Sequence, residues 1–238
     1  WRLPNGYGAF IAELGKELPT ALSTRVTAVS HDAGIALETD RGVVRAKAAI
    51  ITASSALLAS GAIHFTPAID DHLNAAAHLP LGLADKVFLS LAEPGALEPE
   101  THLLGSFEHA ATGSYYIRPF GYPMIECFLG GAAARALEHD GASAAADFCI
   151  SQLRNLLGAD FARGLSPLAV TAWAKEPSIL GSYSHAKPGF AHMRAQLAQP
   201  VSDILCFAGE ACSEQDYSTV HGAWQGGAAA AELIARAL

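Results

Sequence analysis

The stretch that decides the fold lies near the end of the chain and reads FAGEACSEQDYSTVHGA, residues 207–223. The apolar residues Ile204–Ala208 predict a buried β-strand that leads into Gly209, where a missing side chain lets a backbone or a ligand come close. Glu210 follows at the carboxyl end of that strand, where open α/β sheets place their ligands. Ser218 then predicts the N-cap of a long alanine-rich helix, whose first N–H groups favour an electron-rich partner. These residues alone leave open either a cofactor or anion site or an ordinary strand–loop–helix unit.

The chain before this stretch shows two kinds of pattern. Its first quarter predicts a helix with an apolar face, two β-rich runs and a short strand of the kind buried in parallel sheets, at Ala9–Leu18, Thr24–Ser30, Ile35–Thr39 and Ala48–Ala53. Its middle predicts strands in series and then an amphipathic helix, at Lys86–Ala92, His102–Phe107, Ser114–Arg118, Met124–Leu129 and Ala142–Leu157. The first pattern is typical of α/β and the second of α+β structure.

Composition excludes several classes of protein. Hydrophobic residues make up 51% of the 238 residues and charged residues 16%, which suits a globular protein and not a disordered one. The net charge of −8 argues against a nucleic-acid partner. No apolar run reaches the roughly 18 residues of a membrane span. The four cysteines and ten histidines show no metal-ligand spacing, so we expect reduced thiols and no metal. We also expect a cytoplasmic protein.

Three stretches together resemble the flavin-containing amine oxidases, the family of monoamine oxidases, polyamine oxidases and histone demethylases. The closing stretch, residues 207–223, resembles that family's last flavin motif. The run GLADKVF, residues 82–88, resembles the segment that carries a lysine near the flavin, and residues 173–189 resemble a pattern of Trp, Gly-x-Tyr and Pro-Gly. The resemblance implies a partial FAD-binding, Rossmann-like domain of the GR2 type, with an inserted substrate domain of mixed sheet and helices.

The resemblance also implies which residues would hold the flavin. Gly209 and Glu210 would lie at the ribityl chain of FAD, and the N–H groups near Thr219 and Val220 would face the pyrimidine edge of the isoalloxazine. Ser182 stands where mammalian monoamine oxidases have the cysteine that bonds to flavin. Since serine cannot form that thioether, FAD is expected to be non-covalent.

The same resemblance assigns the catalytic and substrate residues. Lys86 would hold a water against flavin N5, although a lysine at the start of an apolar strand is also explained as an edge or snorkelling residue. Tyr183 would form one wall of an aromatic cage for the amine, with a core tyrosine as its alternative. Thr219 stands at the second wall, where monoamine oxidases often have tyrosine. A half-open cage of this kind suits a bulky or extended amine.

One expected motif is not in the sequence. The family binds the pyrophosphate of FAD with Gly-x-Gly-x-x-Gly between a strand and a helix, but Gly6-Tyr7-Gly8 follows no strand and Ile11 replaces the third glycine. We therefore expect an amino-terminal half or a companion subunit to supply that site. On this interpretation, residues 1–64 and 177–238 are parts of the FAD domain, and residues 65–176 are part of the substrate domain.

These observations predict an FAD-dependent oxidoreductase that converts an amine to an imine and reduces oxygen to hydrogen peroxide. This chain would be its carboxy-terminal part and would not be competent alone. The alternative is a non-catalytic fragment or subunit that keeps the flavoprotein fold as an interaction module. The sequence does not identify the amine.

Overall fold

The computed structural model describes residues 3–238. Its strands are β1 (Val26–Ser30), β2 (Ile35–Thr39), β3 (Gly42–Ala46), β4 (Ala49–Ile51), β5 (His64–Thr66), β6 (Ala84–Leu91), β7 (Thr101–Leu104), β8 (Gly113–Ile117), β9 (Met124–Gly130), β10 (Leu165–Val170) and β11 (Leu205–Phe207). Its α-helices are α1 (Gly6–Gly15), α2 (Ser55–Ala59), α3 (Asp70–Ala77), α4 (Gly131–Asp140), α5 (Ala142–Leu157), α6 (Ala159–Arg163), α7 (Met193–Ala198) and α8 (Val220–Ala237). The mixture of sheets and helices agrees with the fold class that the sequence predicts.

The largest sheet is antiparallel and has the strand order β10-β6-β9-β8-β7. Its strand β6, which lies between β10 and β9, alternates as predicted: Val87 and Leu89 are fully buried, whereas Lys86 lies on the other, partly exposed face. Helix α5 packs its buried Leu153 against the apolar face, because its own apolar residues recur at helical spacing. The sheet therefore has one face covered by helices and one face on which polar side chains are accessible.

A parallel strand pair positions the closing stretch of the sequence. Strand β11 pairs in parallel with β4, with Cys206 opposite Ile50, so the predicted parallel pairing of the run at Ala48–Ala53 is confirmed. The expectation that this run is buried on both faces is wrong, since β4 is only half-buried. A cavity of about 390 Å³ lies beside it, lined by Val29, Ile51 and other mainly apolar residues. A separate sheet has the order β3-β2-β1-β5, with β1 and β5 parallel.

The first helix differs from the sequence-based prediction in its environment. Helix α1 forms close to the predicted place, but none of its residues is buried, and Tyr7, Phe10 and Leu14 are each about half exposed. The apolar spacing therefore predicts the helix correctly, but it does not predict which surface packs against the apolar side chains of that helix. The same spacing rule missed α4, because the two buried residues of this alanine-rich segment are Ala134 and Glu138, and neither is a large apolar side chain.

Candidate functional site

A cavity of about 420 Å³ opens where the parallel strands β4 and β11 end. Residues 52–55, which follow β4, and residues 209–212, which follow β11, line it together with Ser182. Its apolar wall includes Leu58, Leu81, Leu197 and Phe207. The volume lies in the range of small-molecule and cofactor sites, and the carboxyl ends of parallel strands are where such sites form. Of the residues that the sequence singled out, this cavity brings together Ser182, Gly209 and Glu210.

Gly209 makes the sharp turn between β11 and the cavity. Its φ of +138° belongs to the backbone region that side chains rarely adopt, so glycine is required for conformational reasons. The helix α8 passes close by, and a Cβ added to Gly226 would lie 3.5 Å from the carbonyl oxygen of Gly209. Helix α8 therefore packs near the end of the strand, at a distance where a Cβ on Gly226 would make an ordinary van der Waals contact.

The Glu210 carboxylate joins two loops at the rim of this cavity. Its Oε1 accepts a hydrogen bond from the Ser184 backbone N–H at 2.9 Å, and its Oε2 accepts bonds from Ser184 Oγ at 2.8 Å and the Ser218 N–H at 2.7 Å. Three donors on one carboxylate fix its orientation. The predicted contact with the ribityl chain stays a prediction, and the structure adds a second role for Glu210 in organising the site.

Arg194, which the sequence analysis did not single out, is buried behind this carboxylate. The side chain is 2% exposed, and its Nη1 donates to Ser184 Oγ at 2.8 Å and to the Ala211 carbonyl at 3.2 Å. The guanidinium also lies 4.1 Å from the centre of the Tyr217 ring. Burial lowers the pKa of Arg194, and the charge of Glu210 opposes that shift. The partners of this arginine lie 10 to 23 residues away along the chain, so its position in helix α7 does not allow them to be predicted from the sequence.

The helix α8 begins one residue later than the sequence predicted. Thr219, and not Ser218, is the N-cap: its Oγ1 accepts from the Gly222 N–H at 3.1 Å. Ser218 has a φ of +61°, and its Oγ donates to the Ser184 carbonyl, so its hydroxyl is engaged elsewhere. The N–H groups of Val220 and of the residue after it have no acceptor within the helix. They are the groups available to an electron-rich partner.

The Thr219 hydroxyl group also makes a second hydrogen bond, as a donor. It donates to the Asp216 carbonyl at 2.5 Å, so the side chain is engaged with backbone on both sides. A Cβ on Gly222 would overlap the same carbonyl, which explains why glycine follows in the motif. The predicted role of Thr219 as a cage wall stays a prediction.

Ser182 and Tyr183 lie beside the beginning of β6. The Ser182 Oγ accepts from the Ala84 N–H at 2.8 Å and donates to the Ala84 carbonyl at 3.1 Å. The Tyr183 carbonyl accepts from the Gly82 N–H at 2.8 Å, whereas its ring is 44% exposed. The two stretches that the sequence analysis treated separately, residues 82–88 and 173–189, are therefore hydrogen-bonded neighbours. An exposed ring also argues against the core-tyrosine alternative for Tyr183.

Lys86 extends from the polar face of the large sheet. Its Nζ lies 2.5 Å from Glu126 Oε1 on the neighbouring strand β9, and its side chain is 40% exposed. The lysine is thus paired, accessible and close in sequence to the backbone that holds Ser182. It does not line the cavity at the ends of β4 and β11, and neither do Tyr183, Thr219 and Val220.

The chemistry of the remaining groups is limited. The four cysteines are free thiols, and burial raises the pKa of Cys212, which lines the cavity, to about 12, with the Glu210 charge adding to the rise. A thiol of this kind is a poor nucleophile. Among residues 3–238, no three metal-binding side chains lie close enough together to hold an ion. None of the helices described is both long and apolar enough to cross a bilayer.

Comparison with known proteins identifies the family. The family described as flavin containing amine oxidoreductase matches residues 1–235. The chain belongs to this family. Among its relatives, polyamine oxidase 2 of Arabidopsis thaliana is 32% identical over 237 residues, which cover 95% of this chain and 47% of the relative. Lysine-specific histone demethylase 1 homolog 2 of the same plant is 26% identical, with coverages of 98% and 32%.

A solved structure shares the fold of this chain. An engineered triple mutant of putrescine oxidase, from a redesign of its cofactor binding, superposes with a TM-score of 0.79 at 20% identity. The match covers 98% of this chain and 53% of that protein. At this identity the likeness shows the fold alone. The chain spans about half the length of the polyamine oxidases that it matches.

Proposed function

We propose that this chain is the carboxy-terminal part of an FAD-dependent amine oxidase. The observation that carries the proposal is the cavity at the carboxyl ends of β4 and β11, with Gly209, Glu210 and Ser182 in its lining. Family membership supports a flavin cofactor, and relatives are named polyamine oxidases and a histone demethylase homologue. The substrate proposed here is accordingly a small-molecule amine.

The residues of the cavity fit part of a flavin nucleotide. The apolar wall suits the non-polar part of such a ligand, and the polar groups of Ser54, Ser182 and Glu210 suit its hydroxyl-bearing part. The free N–H groups at the start of α8 suit a carbonyl or an anion. When bound, FAD would take a hydride equivalent from the amine and pass it to oxygen, which gives an imine and hydrogen peroxide. We propose that FAD binds without a covalent link, because Ser182 cannot form a thioether and Cys212 is a poor nucleophile.

Lys86 and Tyr183 would act on the amine side. The Lys86 ammonium, held by Glu126, is a group that can position a water and exchange a proton with it. The exposed ring of Tyr183 offers a face on which an amine can rest. Both residues belong to segments fixed to each other by the hydrogen bonds of Ser182, so they keep a constant relative position.

The sequence of this chain does not supply residues that would bind the pyrophosphate of FAD. We propose that an amino-terminal half or a companion subunit supplies them, in keeping with the length of the relatives. The apolar side chains exposed on α1 and the apolar cavity beside β4 are surfaces that such a half could cover. The same surfaces support the second candidate function, an interaction module without catalysis.

Replacement of Lys86 in the complete flavoenzyme tests its catalytic role, and the flavin content of the purified enzyme separates the two candidate functions. If the lysine positions a water or moves a proton, Lys86→Met lowers turnover by about 10²-fold, since this is a typical contribution of one such group. Flavin content, read from visible absorbance, stays unchanged because Lys86 does not line the cavity.

Lys47→Met is the matched control, since Lys47 is an exposed lysine between β3 and β4. It should leave both flavin reduction and reoxidation unchanged in stopped flow. If Lys86→Met also leaves both rates unchanged, the lysine is a snorkelling residue and the catalytic assignment is wrong. If the purified enzyme shows no flavin absorbance at all, the interaction module is the better description.

A further inference from the structure

Two carboxyl groups lie buried side by side behind the start of β6. Asp85 is 2% exposed and Glu138, on α4, is 7% exposed. Both line a separate cavity of about 60 Å³, whose other walls include Val87, Leu129 and Ala134. In the sequence, a solvated face and a role in amine recognition explain Glu138 equally well. The structure excludes the solvated face, because the helix α4 packs that residue against the turn that follows β10.

Hydrogen-bond donors lie next to three of the four carboxyl oxygens of this pair, and the fourth oxygen has no donor among the described residues. Asp85 Oδ1 accepts from Thr171 Oγ1 at 2.7 Å and from the Trp173 N–H at 3.3 Å. The two Glu138 oxygens accept the N–H groups of Ala174 at 3.2 Å and of Lys175 at 2.8 Å. Asp85 Oδ2 is buried and has no donor within the described residues, and Glu138 lines the same small cavity as Asp85. Two ionised carboxylates would repel each other here, whereas one proton between them would satisfy the open oxygen.

We propose that Asp85 and Glu138 share one proton, carried on Asp85 Oδ2 and donated to Glu138. This pair, called here the Asp85–Glu138 clasp, holds residues 171–175 against the start of β6. The third ionisable group on the cavity is Lys175, whose Nζ donates to the Glu138 backbone carbonyl at 2.5 Å. This nearby positive charge keeps the negative charge on Glu138, which places the proton on Asp85.

Among the described residues, the other elements that line this cavity place no charged side chain on it. Helix α5 presents Ala142 and Ala145 to the cavity, and β6 and β9 present Val87 and Leu129. Burial raises the pKa of Asp85, the bonds from Thr171 and Trp173 oppose that shift, and the neighbouring Glu138 adds to it. The direction of this shift agrees with a protonated Asp85.

The Asp85–Glu138 clasp is connected to Lys86 by hydrogen bonds of the Thr171 hydroxyl group. Thr171 Oγ1 donates to Asp85 and accepts from the Lys86 backbone N–H at 2.8 Å, and the Thr171 N–H donates to the Lys86 carbonyl at 2.9 Å. Asp85 and Glu138 are therefore positioning residues for the strand segment that carries Lys86. That consequence rests on the proposed function, but the shared proton does not, and it can be tested in this chain without flavin.

The test is the pH dependence of stability in the Asp85→Asn variant. Asparagine keeps an acceptor for Thr171 and offers N–H in place of the protonated Oδ2, so it mimics the protonated clasp at every pH. Because the folded state raises the pKa of Asp85, its contribution is complete below the ordinary value of 3.8 and is lost as pH rises through the raised value. Within that window the folding equilibrium of the wild type weakens by up to tenfold per pH unit relative to the variant.

Urea unfolding at a series of pH values between 4 and 9 measures this difference. We expect Asp85→Asn to match the wild type near pH 4 and to be the more stable protein at pH 8. A variant that is less stable by the same factor at both pH values would overturn the proposal, because Asp85 would then be an ionised acceptor. Glu138→Gln is the contrasting variant: it replaces one of two required acceptors and should lose stability throughout the series.

A second measurement covers the case in which Asp85→Asn does not fold. The infrared spectrum of the wild-type chain at pH 7 should contain the carbonyl band of a protonated carboxylic acid, and absence of that band would overturn the shared proton. These results are independent of catalysis. If Lys86→Met leaves turnover unchanged while the pH-dependent difference is found, the catalytic assignment of Lys86 fails and the clasp stands.

Discussion

The buried guanidinium of Arg194 offers a direct measure of how the site is held together. Arg194→Met removes the charge and keeps much of the volume. Two of its hydrogen bonds, to Ser184 Oγ at 2.8 Å and to the Ala211 carbonyl at 3.2 Å, have normal length. A bond from a charged donor is worth about 1.5–3 kcal/mol, so the loss of both predicts a decrease of about 3–6 kcal/mol in the free energy of unfolding. The contact with Tyr217 adds about 0.5–1 kcal/mol.

The assay is urea unfolding followed by circular dichroism, with Arg236→Met as the control. Arg236 pairs with Glu232 at 3.6 Å on the surface of α8, and its side chain is 82% exposed. Its replacement should change the free energy of unfolding by no more than about 0.5 kcal/mol. A loss below about 1 kcal/mol for Arg194→Met would refute the reasoning, because the buried network would then contribute no more than a surface pair.

Four further outcomes follow from the site. Tyr183→Ala should weaken amine binding in the complete enzyme by about 1–2 kcal/mol, while Tyr122→Ala, at a similarly exposed ring, should leave the amine dissociation constant unchanged. Thr219→Ala should lower the free energy of unfolding by about 1 kcal/mol through loss of the N-cap bond; a helix start capped by Ser218 instead would show no loss. The isolated chain should bind FAD weakly or not at all, and calorimetric titration with submicromolar affinity would contradict this. Acid denaturation of the complete enzyme should release intact FAD into the supernatant; flavin that stays with the precipitate would disprove the assignment of Ser182.

Features that depend on neighbouring residues in the sequence could be predicted. Strand β6 has its apolar residues on alternate positions, and helix α5 has its predicted bounds, Ala142–Leu157. The strand before Gly209 could be predicted because a short apolar run ends in a glycine. In the structure this glycine has a φ of +138°. Within such segments the local periodicity and the packing favour the same structure.

Features that depend on partners far along the chain could not be predicted. The burial of Glu138 follows from the N–H groups of Ala174 and Lys175, 36 and 37 residues later. The choice between Ser218 and Thr219 as N-cap depends on Glu210 and Ser184, which engage the N–H and the Oγ of Ser218. Both residue types are good caps by propensity, so only these tertiary contacts distinguish them.

The parallel pairing of β4 with β11 has a consequence for the order of folding. Ala49 lies opposite Leu205, whereas the strands of the large sheet pair within residues 84–170. Contacts between distant segments form late, because the loop between them must first be closed against chain entropy. On the ribosome, the large sheet can therefore assemble while Gly209 and Glu210 are still being synthesised. The crevice at the strand ends becomes complete only after α8 has emerged, so we expect flavin capture to follow the assembly of the large sheet.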